Sequence, residues 1–228
     1  PEVVKQVERD LGLDKPLPVS YWYWISGLLR GELGHSYISR APIATLIGSR
    51  VLNSLELMLA AMLLAIVIGF TMGGMAALTK SGRLQLALTG LNAFMISIPP
   101  FVTGLVLILV LSVSLKLLPT GGQAQDTGEL WDAIKHVLMP AVTLAIPTAA
   151  VIARFLQTSL RQTLREDYIR TAIAKGVPLR RVVLRHAMPA ALAPVATIVG
   201  IQMGQLLGGA VIVEAVFGWP GLARVLIE

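Results

Sequence analysis

The sequence predicts an all-α, polytopic helical membrane protein, on three observations. Hydrophobic residues make up 55% of the 228-residue chain and charged residues only 14%, with a mean hydropathy of +0.73, which is more apolar surface than a soluble domain can hide. Four stretches stay free of charge for long enough to cross a hydrocarbon core, which takes about 20 residues of helix: Leu57 to Thr79, Leu84 to Leu115, His136 to Ala153 and Ala187 to Val213. All four are apolar on every side, whereas membrane barrels use segments of roughly 10 residues with alternating polarity, so the spans are helices.

Residues 1–50 come first and are of another kind. They are mixed in charge, broken by Leu11-Gly12-Leu13, Pro16 and Pro18, and carry the aromatic cluster Tyr21-Trp22-Tyr23-Trp24. Amphipathic rings prefer the membrane interface, so this segment is expected to lie along the outer surface. The remainder, 51–228, holds the spans. Its first span ends at the Lys80–Arg83 hairpin, and the second contains Pro99-Pro100, where a kink or hinge is expected. The third span, the shortest, contains Pro140 and Pro147, and the fourth Pro194.

Orientation follows from Lys and Arg in the short loops. Between Arg154 and His186 the chain carries eight basic residues against Glu166 and Asp167, an excess of +6 that equals the net charge of the whole chain. That loop is expected in the cytoplasm, and the pI near 10.0 reflects topology rather than nucleic-acid binding. The Lys80–Arg83 hairpin then also lies inside, and the segment Lys116–Lys135, with Asp126, Glu129 and Asp132, outside. Both ends of the four-span chain fall on the outer face. An outer N-terminal side requires something to have carried it across, so a span upstream of Pro1 is expected.

The loop has a pattern of its own. Arg165 to Lys175 favours helix, Gly176 interrupts, Pro178 stands where a helix begins, and Leu179 to Met188 resumes the helical pattern. Two short helices joined at a glycine make a rigid knuckle, able to pass a rigid-body change in a soluble partner to the spans continuous with it. A merely solvated positive loop would need the charges but not Gly176 between two apolar-faced helices.

At these residues the chain resembles the permease subunits of binding-protein-dependent ATP-binding-cassette importers. Their signature is Glu-Ala-Ala, three residues, Gly, nine residues, Ile, one residue, Leu-Pro. Here Arg170-Thr171-Ala172 stand at the first three places, Gly176 at the glycine, His186 at the isoleucine and Met188-Pro189 at the end. The glycine spacing and the terminal proline match, and the leading glutamate does not. Arg-Thr-Ala within DYIRTAIAKG, the run GGAVIVEAVFGWPGLARVL from Gly208 to Leu226, GLDKPLP near the start and GELGHS from Gly31 to Ser36 look like the dipeptide, oligopeptide and nickel branch.

The resemblance implies a type I importer permease fold of six spans, of which this chain holds spans two to five. It implies that Asp167, Arg170, Thr171, Ala172, Lys175, Gly176, His186 and Pro189, within a coupling loop 161–190, serve ATPase coupling. It also implies partners: cytoplasmic ATPase subunits, a second homologous permease and an outer substrate-binding protein, in the inner or plasma membrane of a prokaryote. Cargo would be di- or oligopeptides first, with nickel or glutathione as alternatives.

Within the spans, Gly69 and Gly73 form one GxxxG, and Gly200, Gly204 and Gly208 two in tandem, which let helix backbones approach closely. With Pro99 and Pro100 these are the candidates for helix packing or gating; the tandem glycines could face a second permease or the pore. Glu56 and Glu214 sit near the outer ends of their spans, shallow enough to reach water, and are assigned capping or interface roles. His35, His136 and His186 fall in separate segments without ligand spacing, and Met58 and Met62 share a helix face as packing residues do. No metal site, cofactor site or catalytic residue is therefore expected. There is no cysteine, no GxxxxGK[ST] loop and no HExxH, and no span pairs the residues of an intramembrane protease. ATP hydrolysis would fall to a partner. A gated channel would show a polar or charged stripe in a span, which is not found, and a scaffold would not need the tandem glycines and repeated prolines.

Overall fold

The structure, a computed structural model, describes residues 16–31, 33–34, 42–124 and 130–223. Two units divide the chain, Pro1–Ser49 and Arg50–Glu228. Of the resemblance motifs, residues 12–15 of GLDKPLP, Glu32, His35 and Ser36 of GELGHS, and the tail beyond Ala223 lie outside the described residues.

In the first unit, Pro16 and Pro18 open helix α1 (Leu17–Leu29), where missing amide donors cost nothing, and Gly31 at φ +82° follows its end. Its apolar side chains point every way: Leu17, Trp22, Trp24 and Leu29 are all exposed, and Tyr21 and Trp24 stand 6.3 Å apart, ring to ring.

The second unit is built on α2 (Ile43–Leu78), α3 (Gly82–Ser97), α4 (Pro100–Leu107), α5 (Leu130–Thr163), α6 (Asp167–Ala174), α7 (Leu179–Val182) and α8 (Met188–Phe217). Three stretches are long and apolar enough to span a membrane, namely α2, α5 and the continuous run Leu179–Phe217, in which a π-helical turn, Val183–Ala187, joins α7 to α8 without a break. The fourth crossing is broken. The expected helix Leu84–Leu115 is instead α3 followed by α4 and the π-helical turn Ile108–Ser114, bent by 98°. Ile98 and Pro99 are extended, and Pro100 starts α4 without a donor to give back to α3. The sequence marked the kink but not its size.

Contacts at the two ends show that this bent pair crosses the bundle rather than turning back. At one end Arg161 donates to the Ala76 carbonyl (2.6 Å) and Ala77 packs with Leu160, so the α2–α3 hairpin belongs there. At the other, the Gly122 amide donates to the Phe217 carbonyl (2.8 Å) and Gln123 pairs with Asn53 (3.2 Å), which places the segment after α4 with the end of α8 and with α2.

The third span also differs from expectation. Far from being the shortest, α5 is a 34-residue helix that carries Arg154 and Arg161 within it. A search for charge-free runs truncates a helix one face of which is polar along its inner length. α5 packs chiefly on α8, and also on α3 and α4. The main core gathers Leu57, Met58, Ala61 and Met62 of α2, Met139, Leu144, Ala149 and Ile152 of α5, and Val195, Leu206 and Val213 of α8. Ala61 and Ala149 let the helices approach closely, since helices in lipid associate by close packing rather than by water exclusion.

Candidate functional site

The segment between α5 and α8 folds as an elbow. Asp167 opens α6 with a negative charge in the first turn, where the helix dipole favours it. The helix ends in a Schellman turn: the Gly176 amide donates to the Ile173 carbonyl (2.9 Å) and the Val177 amide to the Ala172 carbonyl (3.2 Å), with Gly176 at φ +80°. A side chain is disfavoured in that left-handed conformation, which is why a glycine stands there. Pro178 follows, and its carbonyl accepts from the amides of Arg181 (2.8 Å) and Val182 (3.1 Å) to start α7.

The elbow is held by a small core of its own. Ile169, Leu160, Val182, Ala187 and Ala191 are fully buried together, with Ala172 and Val177 partly buried against them. One face of α6 is thus pinned to the ends of α5 and α8 and the other is presented outward. Asp167, Arg170, Thr171, Lys175, Gly176, His186 and Pro189 are exposed, and Ala172 is half-buried. The Arg170–Asp167 pair (3.5 Å) is fully solvated and contributes little to stability. Sequence reasoning missed Tyr168, Ile173, Leu179 and Leu184, about half exposed on the same elbow. Their signal was phase: they fall off the period that buries Ile169, Ala172 and Val182.

At the far end of the bundle α8 closes with a second turn, and here an expectation is overturned. Glu214 does not reach water: it is 2% exposed, its carboxylate accepting from the Ser54 hydroxyl (2.5 Å) and the Ala223 amide (2.8 Å). Ser54 in turn accepts from the Leu222 amide (2.9 Å), and Trp219 donates from its indole nitrogen to the Asn53 carbonyl (3.0 Å). Gly218 at φ +59° reverses the chain, and Gly221 lies so close to the Glu214 carboxylate that a Cβ there would strike it. The Trp219–Leu222 turn therefore folds back over the helix end and covers the acid. Nothing in the sequence of α8 alone indicates this, since the donors come from α2 and from beyond the turn.

The glycine candidates separate into two kinds. A Cβ on Gly69 would come within 2.9 Å of the Ala149 carbonyl, and one on Gly73 within 2.5 Å of the Ala153 carbonyl, so this seam seats α2 on α5. Among the described residues nothing comes within 4 Å of a Cβ on Gly200, Gly204 or Gly208, and the described residues leave this stripe of α8 uncovered. Glu56 is exposed, Met58 and Met62 are buried in the main core, and His136 approaches its own helix at the Asp132 carbonyl (2.9 Å). Among the described residues no group of acids and histidines could hold a metal ion.

Residues 65–228 match the family described as "Binding-protein-dependent transport system inner membrane component". The chain is 40% identical over 231 residues to the glutathione transport system permease protein GsiC of Pectobacterium atrosepticum, spanning 99% of this chain and 71% of that protein. It is also 40% identical over 232 residues to GsiC of Salmonella typhi, spanning 100% of this chain and 72% of the relative. A solved structure described as an amino acid ABC transporter with histidines shares the fold at a TM-score of 0.62 and 16% identity, covering 85% of this chain and 81% of its own. The elbow, the broken span and the closed helix end thus belong to one architecture, and the chain is a member of the binding-protein-dependent transport system inner membrane components, a permease subunit of the peptide and glutathione branch of ATP-binding-cassette importers.

Proposed function

We propose that this permease passes small peptides of the glutathione class and takes its power stroke from a separate cytoplasmic ATPase seated on the elbow. The elbow carries this reading: a rigid, outward-facing, glycine-capped helix on its own core, continuous with a full membrane span. A flexible loop would absorb a push, whereas this one transmits it. The basic excess supports a cytoplasmic elbow and segment 161–190, and this reading takes 51–228 as the membrane domain and 1–50 as an outer segment in a prokaryotic inner membrane. The exposed Asp167, Arg170, Thr171, Lys175, Gly176, His186 and Pro189, with half-buried Ala172, form the ATPase surface, and Tyr168, Ile173 and Leu179 supply its apolar contacts. A second permease completes the path along the open glycine stripe of α8, and an outer binding protein delivers cargo. Two relatives named for glutathione transport favour that tripeptide over longer peptides and over nickel.

The absence of native cysteine makes the test clean. Ala174, exposed at the end of α6, is replaced by cysteine in the complete chain, the ATPase is co-expressed, and crosslinking is followed with and without ATP. The expected result is a crosslink to the ATPase that changes with nucleotide. An assembled complex without any crosslink at this position removes the elbow as the joint.

A further inference from the structure

The inner half of the bundle contains a polar groove that the coupling elbow does not use. It lies between α3 and α5, encloses about 770 Å³, and is within the size range of small-molecule sites. From α5 it receives Arg154 and Arg161 on one face, with Gln157 between them, and from the turn just beyond α5 comes Arg165. From α3 come Gln85, Thr89 and Asn92, also on one face. No carboxylate lines it.

Depth makes this unusual. Ala153, next to Arg154, packs on Gly73, more than one turn inside the end of α2, and the Asn92 amide donates to the Ala150 carbonyl (2.7 Å) one turn further in. An arginine at that level of a span faces a bundle interior or a water-filled cavity and pairs with an anion or with backbone carbonyls. Arg161 spends one N–H on the Ala76 carbonyl, which leaves further donors of its planar guanidinium. Among the described residues the acid–base contacts are Asp132–His136 and Asp167–Arg170, so Arg154, Arg161 and Arg165 have no carboxylate partner.

The spacing forms a ladder. Arg154 and Arg161 are about 10 Å apart along α5, at about 1.5 Å per residue, and Arg165 follows in the turn beyond its end. Guanidinium groups in this arrangement offer a carboxylate bidentate partners in succession, and the glutamines, threonine and asparagine can solvate a peptide backbone on the way. A phospholipid headgroup offers the same oxyanion chemistry, and Ala93 and Ile96 supply an apolar stretch of wall near the α3 bend, so the two anion sources are separated by experiment.

We infer that the α3–α5 groove is an anion track on the inner half of the translocation path, taking the carboxylates of a small acidic peptide and excluding cationic cargo. This rests on the peptide-importer reading and adds to it a basis for charge selection within the permease itself.

The test uses the full-length permease in its assembled importer, reconstituted in vesicles without ATP. Ala93→Cys places a thiol in the groove, and its reaction with an anionic sulfonatoethyl and a cationic trimethylammonioethyl methanethiosulfonate is measured on this chain by mass. The anionic reagent is expected to react about tenfold faster, S-methylglutathione to protect, and its diamide not to protect. Adding Arg154→Gln should erase the preference, while Arg154→Lys should keep most of it; gel filtration of each complex verifies assembly. Equal rates for the two reagents in an assembled complex overturn the track. So does protection that follows phosphatidylglycerol in the vesicle instead of S-methylglutathione, since the groove then holds a headgroup. ATP-driven uptake of glutathione by the wild-type importer is measured in parallel: its absence, with the charge preference intact, rejects the cargo reading and not the groove.

Discussion

At the scale of single residues the bundle is held by places where nothing larger fits. Gly73 meets the backbone of α5, so an added methyl has no rotamer into which to escape, and Gly73→Ala must push two helices apart. Overpacking of that kind costs about 1–3 kcal/mol. Gly73→Ala is expected to lower the thermal midpoint of the purified chain, measured by scanning fluorimetry in detergent, while Gly204→Ala leaves it unchanged because its Cβ meets nothing. Ser54 is the second such place. It donates to Glu214 and accepts from the Leu222 amide, so Ser54→Ala deprives two buried groups of a partner at once. A loss of about 1–3 kcal/mol is expected from each unsatisfied group, read as a lowered midpoint that Ser54→Thr recovers in part.

At the scale of elements, the short helices were more legible than the long ones. Gly176 followed by Pro178 announced a C-terminal cap and a fresh N-terminus, and the structure places a Schellman turn and α7 there. Local chemistry alone sets that feature, which is why one sequence suffices to read it. The 98° break between α3 and α4 was half legible: Pro99-Pro100 marks the position, but its angle depends on what α5 and α8 leave for α4 to pack against. The length of α5 was not legible from charge, because Arg154 and Arg161 lie inside the helix facing a groove rather than ending it. Glu214 was misread for a related reason: its burial comes from Ser54, 160 positions away, and from a turn at Gly221 that folds back over the helix end. Gly176→Ala tests the element that was read best. Forcing an L side chain into the left-handed conformation costs about 1–2 kcal/mol, so the elbow should loosen without unfolding the spans. Transport should fall while assembly with the ATPase, followed by co-purification, persists.

At the scale of the molecule, α8 has two faces with different obligations. One is buried on α5, and the other bears Gly200, Gly204 and Gly208 with none of the described residues against them. A stripe of that length with no side chains admits the backbone of another helix. Gly204→Ile is therefore expected to leave the chain's own thermal midpoint in place and to weaken co-purification of the second permease. The run Leu179–Phe217 also has mechanical proportions. It is gripped at Ala187 and Ala191 in the small inner core, and its far end is fastened through Glu214 to α2. From Leu179 to the middle of that grip at Pro189 is about 15 Å, and from there to Phe217 about 42 Å, at the helical rise of about 1.5 Å per residue. On the proposed coupling the run is a lever that pivots at that grip, so each ångström of travel at the elbow becomes roughly three at Phe217, carried to α2 through Glu214. On that reading, a modest stroke delivered at the elbow is geared up into the opening of a passage at the far end of the bundle.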